Sequence, residues 1–433
     1  MAARGDGVYL VDSAGKRYLD ASGGAVVSSL GHNHPRIVAA IEAQLGQLEF
    51  AHSSFFTNAP AEMLAARLIE LAPEGFGAGR VIFLGSGSEA MESALKLARQ
   101  YHVERGEPQR DRFIARRQSF HGNTLATLGI GGHPGRRAIY EPMLMPQRLV
   151  APCYPLRDRL PGEGDDAYTD RLADELRRAI ADAGEGRVAA FVIEPIAGAT
   201  LGSVPPVPGY LRKIRAVCDE AGVLLIADEV MCGMGRAGDW FVMRQEGVCP
   251  DLIAIAKGLG AGFQPIGAVM ASEAVIAAVA TGSGRLAGGH TYMSHPVVCA
   301  AALAVIDTIV DDRLLEAVER MGDVLEQTLR ARFGGHAHVC DIRGRGLMWS
   351  LELVADRNTD APFAPCAGLA MALRDLARDN GLICYPSSGT IDGLRGDHVL
   401  IAPPFTIDDG QIAEIVDKLE RSLDMATALA SKI

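Results

Sequence analysis

The chain has 433 residues, 48% of them hydrophobic, enough to bury a sizeable core in two or three structural units. Its 42 basic residues face 53 acidic ones, a formal charge of −11, with no basic block of the kind that neutralises nucleic-acid phosphates. Arg4, Asp6 and Asp12 interrupt the start where a secretory signal would be apolar, and every hydrophobic run breaks well short of membrane-spanning length, so a cytoplasmic protein without nucleic-acid or membrane partners is expected.

Residues 7–20 alternate apolar and polar positions around a Ser-Ala-Gly turn, the pattern of a β-hairpin in which Tyr9, Val11, Tyr18 and Leu19 seek cover. Ile37, Ile41, Leu45 and Leu48 then recur at helical spacing over 36–48, with Pro35 suited to the first turn, and a second helix follows over 60–71. From about residue 80 the pattern becomes short β-rich runs, each followed by a turn and a helical segment: VIFLG, FIAR, VAAFVIEP, VLLIADEV, DLIAIAKG and IGAVMAS. Such alternation predicts an α/β unit around a largely parallel sheet covered on both faces, with ligands at the carboxyl ends of the strands. Past residue 300 an Ala/Leu/Val-rich helix, a charged helix over 311–332, the run GRGLMWSLELV, a helix over 366–380 and the strand HVLIAPPF describe a smaller α+β unit.

Eight cysteines are scattered singly without a Cys-x-x-Cys pair, so reduced thiols are expected. His32-Asn33-His34 and His336-Ala337-His338 lack the Cys or carboxylate partners of a ligand set, and no metal site is predicted.

Three strand ends carry chemistry-bearing residues. After VIFL comes Gly85-Ser86-Gly87-Ser88-Glu89-Ala90, whose small residues let backbone N–H groups approach an anion at a helix start near Ser88. The Gly-Lys-Ser/Thr ending of a nucleotide-binding P-loop is absent, and a tight strand-to-helix turn without a ligand is an equal reading. Asp228 ends VLLIAD, where an aspartate is either a turn cap or a partner for a buried cation. Lys257 ends DLIAIAK; it either snorkels to solvent or enters a cleft where desolvation leaves its amine neutral and nucleophilic toward an aldehyde. A phosphate cup, an aspartate for a pyridinium nitrogen and a Schiff-base lysine are together the contacts that pyridoxal 5'-phosphate demands.

With these residues in place, the chain resembles a class III aminotransferase of fold type I over nearly its whole length. The resemblance rests on an ordered set of motifs: LGHNHP (30–35), SGSEAMESALKLAR (86–99), FHG (120–122), IEPIAG (193–198), ADEVMCGMGRAG (227–238), KG (257–258), HTYMSHP (290–296) and APP (402–404). It implies a mainly parallel seven-stranded sheet in a large domain over 51–308, with a small α+β domain built from 1–50 and 309–433. It also implies Ser86, Gly87 and Ser88 at the cofactor phosphate, Phe120 stacked on the ring with His121 and Gly122 completing that motif, and Glu194 on the ring's hydroxyl side. Asp228 then pairs with the pyridine nitrogen, Val230 packs behind the ring, and Lys257 carries the cofactor and moves the substrate proton. Thr291 reaches the phosphate of a neighbouring subunit, which implies a two-fold homodimer with shared sites. The expected activity is ping-pong transfer of an amino group from an amine or amino acid to a keto acid, pyruvate or 2-oxoglutarate; a lyase, decarboxylase or racemase on the same fold is the alternative.

The substrate side departs from some relatives. Ala199 stands where the ornithine and GABA aminotransferases have a second glutamate, so the chain is similar to the ω-amino acid and amine:pyruvate enzymes. Phe55-Phe56 echo those enzymes' paired phenylalanines, either in the neighbouring pocket or as packing, and Ala25 stands where many have tryptophan. Register anchored on Gly396-Asp397-His398 puts Gly393 at the position of their carboxylate-binding arginine. Arg395 lies two residues on and is either its replacement or a solvated loop charge.

Overall fold

A computed structural model describes residues 1–146 and 148–432. The N-terminal alternation yields β1 (Ala2–Asp6), β2 (Tyr9–Asp12) and β3 (Arg17–Asp20), paired antiparallel in that order. The expected hairpin is β2–β3; β1, whose residues are largely exposed, was not foreseen. Of the four residues expected to seek cover, Val11 and Leu19 are buried and the two tyrosines are half-buried. The helix Pro35–Leu45 starts on its proline, and Ala59–Leu71 is capped by the Asn58 side chain, which accepts from Ala61 N at 3.0 Å.

The β-rich runs form one sheet from β4 (Arg80–Leu84), β5 (Arg112–Arg116), β6 (Arg148–Val150), β7 (Val188–Ile193), β8 (Leu224–Asp228), β9 (Leu252–Ile255) and β10 (Gly267–Ala271). Their order is β4-β10-β9-β8-β7-β5-β6, parallel throughout except that β10 runs against both neighbours. Period-two alternation sends Phe191, Ile193, Leu225 and Ala227 into one layer, against helices Asp165–Ala183 and Tyr210–Ala221. Ala190, Val192, Leu224 and Ile226 face the other, under helix Gly87–Glu104. Burying one such large apolar side chain contributes roughly 1.5–3 kcal/mol, which explains why β7, β8 and β9 are apolar on both faces.

Helices Pro296–Asp311 and Leu314–Phe333 lead into the last unit. There β11 (Val339–Arg345) and β12 (Met348–Leu353) form a hairpin, helix Leu369–Asp379 and β13 (Leu382–Ile383) follow, and β14 (Tyr385–Ser388) precedes β15 (Asp397–Ile401). Strand β13 pairs parallel with β3 through Leu382 and Leu19, so the two ends of the chain share a sheet; the other four strands form an antiparallel sheet ordered β11-β12-β15-β14. A closing helix, Asp409–Ala430, went unforeseen although Asp408 and Gln411 cap it reciprocally. Among the described residues no helix is long and apolar enough to cross a membrane.

Candidate active site

Because β10 is inserted in reverse between β4 and β9, the carboxyl ends of β4, β7, β8 and β9 open on one edge of the sheet. A cavity of about 380 Å³ lies there. It is lined by Ser86, Gly87 and Ser88 after β4, Phe120, His121 and Gly122 after β5, Glu194 after β7, Asp228 and Val230 at the end of β8, and Lys257 after β9. Ala25 from the N-terminal segment also reaches it.

At one end, Ser86 caps helix Gly87–Glu104 by accepting from Glu89 N at 3.2 Å, while Glu89 Oε2 accepts from Gly85 N at 2.7 Å. That reciprocal lock leaves the first-turn N–H groups of Gly87 and Ser88 without intrahelical acceptors, at the positive end of the helix dipole. A Cβ on Gly87 would come within 3.0 Å of Val230 Cγ1 and 3.3 Å of Ala256 Cβ, so only glycine leaves this cradle open. Ser88 Oγ accepts from Asn123 N at 3.0 Å, tying the 120–123 turn to the same helix start, and Gly122 adopts φ +139° where a Cβ would press on Ser88 Cα.

Glu194 is buried and holds the aromatic turn in register: Oε1 accepts from Phe120 N at 3.1 Å and Oε2 from Gly198 N at 2.9 Å. Burial raises its pKa, the nearby Asp228 charge adds to that, and His121, Arg116 and the Gly198 hydrogen bond oppose it. His121 Nδ1 donates to Asp228 Oδ2 at 2.8 Å, and Val230 N donates to Asp228 Oδ1 at 3.1 Å, so the buried carboxylate is fixed from two sides. Neighbouring Glu229 faces away from the cavity, accepting from Val242 N and Met243 N, and burial pushes it up to about 7.

Lys257 sits at φ +46°, a left-handed conformation that costs a non-glycine residue roughly 1–2 kcal/mol. Its amine makes no hydrogen bond or ion pair among the described residues. Burial lowers its pKa, Asp228 and Glu194 pull it back up, and Arg136 pushes it down again. A small neutral fraction of such an amine is an effective nucleophile and base. Together the site offers an anion cradle, walls that include the Phe120 ring and the Val230 side chain, a fixed carboxylate and an unpaired amine; that set fits a planar phosphorylated aldehyde.

Four sequence-predicted residues lie outside the cavity. Phe55 and Phe56 are 80% and 70% exposed, and Thr291 is exposed on the loop before helix Pro296–Asp311. Arg395 is turned to its own loop, where Nε donates to Asp392 Oδ2 at 2.6 Å. Arg136, Met231, Gln264 and Tyr385 line the cavity and were missed. Strand-end logic could have flagged Tyr385 at the start of β14, but nothing local singles out Arg136 from the other basic residues.

A model of the family described as aminotransferase class-III matches residues 1–423. The chain is 42% identical to an uncharacterized aminotransferase of Schizosaccharomyces pombe, over 98% of this chain and 92% of that one. It is 35% identical to the putrescine–pyruvate aminotransferase of Pseudomonas aeruginosa, over 98% and 90%. It superposes on the ω-transaminase of Pseudomonas jessenii in complex with PMP with a TM-score of 0.92 at 34% identity, covering 100% of this chain and 93% of that structure.

Proposed function

This chain belongs to the class III aminotransferases, and on that premise we propose that its cavity holds pyridoxal 5'-phosphate on Lys257 and transfers an amino group from an amine or amino acid to a keto acid in two alternating half-reactions. The observation that carries this reading is the unpaired amine of Lys257 in the same cavity as the buried, doubly hydrogen-bonded carboxylate of Asp228. Bound there, pyridoxal phosphate supplies an aldehyde that captures amines and a ring that accepts electrons from a breaking Cα–H bond.

The residues divide the remaining work. The N–H groups of Gly87 and Ser88, with the Ser86 turn, bind the phosphate. Asp228 holds a proton on the pyridine nitrogen, and His121 keeps its carboxylate aimed. Phe120 and Val230 orient the ring, with Gly122 and Glu194 setting the position of the aromatic turn. Lys257 Nζ takes the proton from the substrate's Cα and returns it in the reverse half-reaction, a role its lowered pKa favours.

We assign the exposed Thr291, Phe55 and Phe56 to the site of a second copy, giving a homodimer with shared active sites. We divide the chain into a large domain over 51–308 and a small domain built from 1–50 and 309–433, with helix Pro296–Asp311 running across the second boundary.

The test is spectroscopic. Amine added to cofactor-loaded protein without keto acid should bleach its visible absorbance, and keto acid should restore it; Lys257→Ala should fold, show no bleaching and lose turnover. Sustained turnover without any keto acid would instead support a lyase, decarboxylase or racemase. Full activity in Lys257→Ala would overturn the assignment.

A further inference from the structure

The resemblance to amine:pyruvate enzymes left no carboxylate-binding arginine where those enzymes carry one. Position 393 is glycine, and Arg395 is spent on Asp392. The backbone at Gly393 is instead met by the short turn Pro134–Arg137: a Cβ on Gly393 would lie 2.5 Å from Pro134 Cδ, and a Cβ on Gly135 would lie 3.0 Å from Gly393 O. The two segments meet because Gly393 and Gly135 carry no side chain, which lets the Pro134 ring pack on the backbone at 393.

That turn is anchored by Arg137, whose Nη1 donates to the carbonyls of Leu128, Gly129 and Gly131 and whose Nη2 pairs with Glu141 at 3.2 Å. Arg136 beside it has no ion pair and no side-chain hydrogen bond among the described residues. Its guanidinium lies over the Phe120 ring, 4.4 Å from the centroid, and lines the cavity. The acids lining that cavity, Glu194 and Asp228, direct their oxygens to Phe120, Gly198, His121 and Val230, and neither pairs with Arg136.

We propose that Arg136 holds the carboxylate of the 2-oxo acid that accepts the amino group, replacing from the opposite segment the arginine missing at 393. A planar guanidinium can take a carboxylate through two parallel hydrogen bonds, and its seat on Phe120 keeps that fork beside the reacting centre. One guanidinium serves one carboxylate, so the acceptor class is a monocarboxylate 2-oxo acid. The inference rests on the aminotransferase reading of the same cavity.

The experiment compares cofactor-loaded wild type, Arg136→Gln and Arg136→Lys, first with pyruvate and a carboxylate-free amine in separate half-reactions. Loss of a charge-assisted bidentate partner should lower kcat/KM for pyruvate on the order of 100-fold, mostly through KM, and by at least tenfold more than it lowers the rate with the amine. Arg136→Lys should recover part of that loss. Propionate, which has no carbonyl to accept an amino group, should perturb the visible absorbance of wild type and need at least tenfold more ligand in Arg136→Gln. Equal losses in both half-reactions, or an unchanged KM for pyruvate, would overturn the assignment of Arg136. A wild type that is never bleached by any amine would instead overturn the aminotransferase reading beneath it.

Discussion

Replacing Glu194 by Gln probes how the aromatic turn is held without changing its volume. In the wild type both carboxylate oxygens accept backbone N–H groups, from Phe120 and from Gly198, in a place only 6% exposed. An amide offers one acceptor and one NH2, so one of those two N–H groups must face a donor with no water to relieve it. A buried donor left unmatched costs roughly 1–3 kcal/mol, and because the turn carries Phe120 and His121, the loss should fall on cofactor binding. The Kd of the apo-protein for pyridoxal 5'-phosphate should rise about 5- to 150-fold, read by equilibrium fluorescence titration. Glu194→Ala frees both N–H groups and opens a void, so it should bind more weakly still. Burial favours the protonated form of Glu194; if that form prevails, the amide is an equal mimic and Kd will move less than twofold, which would refute the two-acceptor reasoning.

Two further outcomes test the site and its surroundings. Gly87→Ala places a methyl against Val230 and Ala256 inside the phosphate cradle and should weaken cofactor binding at least tenfold, measured by the same titration. Burial and the Arg343 charge push His398 down to about 3, from about 6.5 in the unfolded chain. Between those values the unfolded chain binds a proton that the fold refuses, so this contribution is complete above pH 6.5 and shrinks as pH falls, by about 1.4 kcal/mol per unit. The thermal midpoint of His398→Gln should therefore drop less than that of wild type from pH 7 to pH 5; parallel slopes would refute it.

The strands of the large sheet were legible because strands buried on both faces must be almost wholly apolar, and their polar ends at Asp228 and Lys257 then stand out. The same contrast located the glycine-serine turn after β4. Strand β6 was missed because three residues, Arg148–Val150, are too few to show a period. Helix Asp409–Ala430 was within reach of the rules that found the others, since Ile412, Ile415, Val416, Leu419 and Leu423 recur at helical spacing behind an Asp408–Gln411 box. Arg136 was not legible at all. Its orientation depends on carbonyls captured by its neighbour Arg137 and on a glycine distant in sequence, contacts that exist only once the chain has folded. Arg395 has a different cause: it sits on an exposed loop, where sequence position alone does not fix what a side chain meets, whereas Phe55, Phe56 and Thr291 were expected to serve a neighbouring subunit and are exposed here.

The contact between Gly393 and Pro134 also limits how this chain could change its substrate preference. At φ +85°, and with any Cβ falling 2.5 Å from Pro134 Cδ, position 393 admits no side chain without backbone strain and overlap. Grafting an arginine there, as transplanting a trait from a related enzyme would require, therefore demands that the 134–137 turn move first. A larger residue at 393 and the present 134–137 turn cannot coexist without movement of the backbone, so the two segments are constrained to change together.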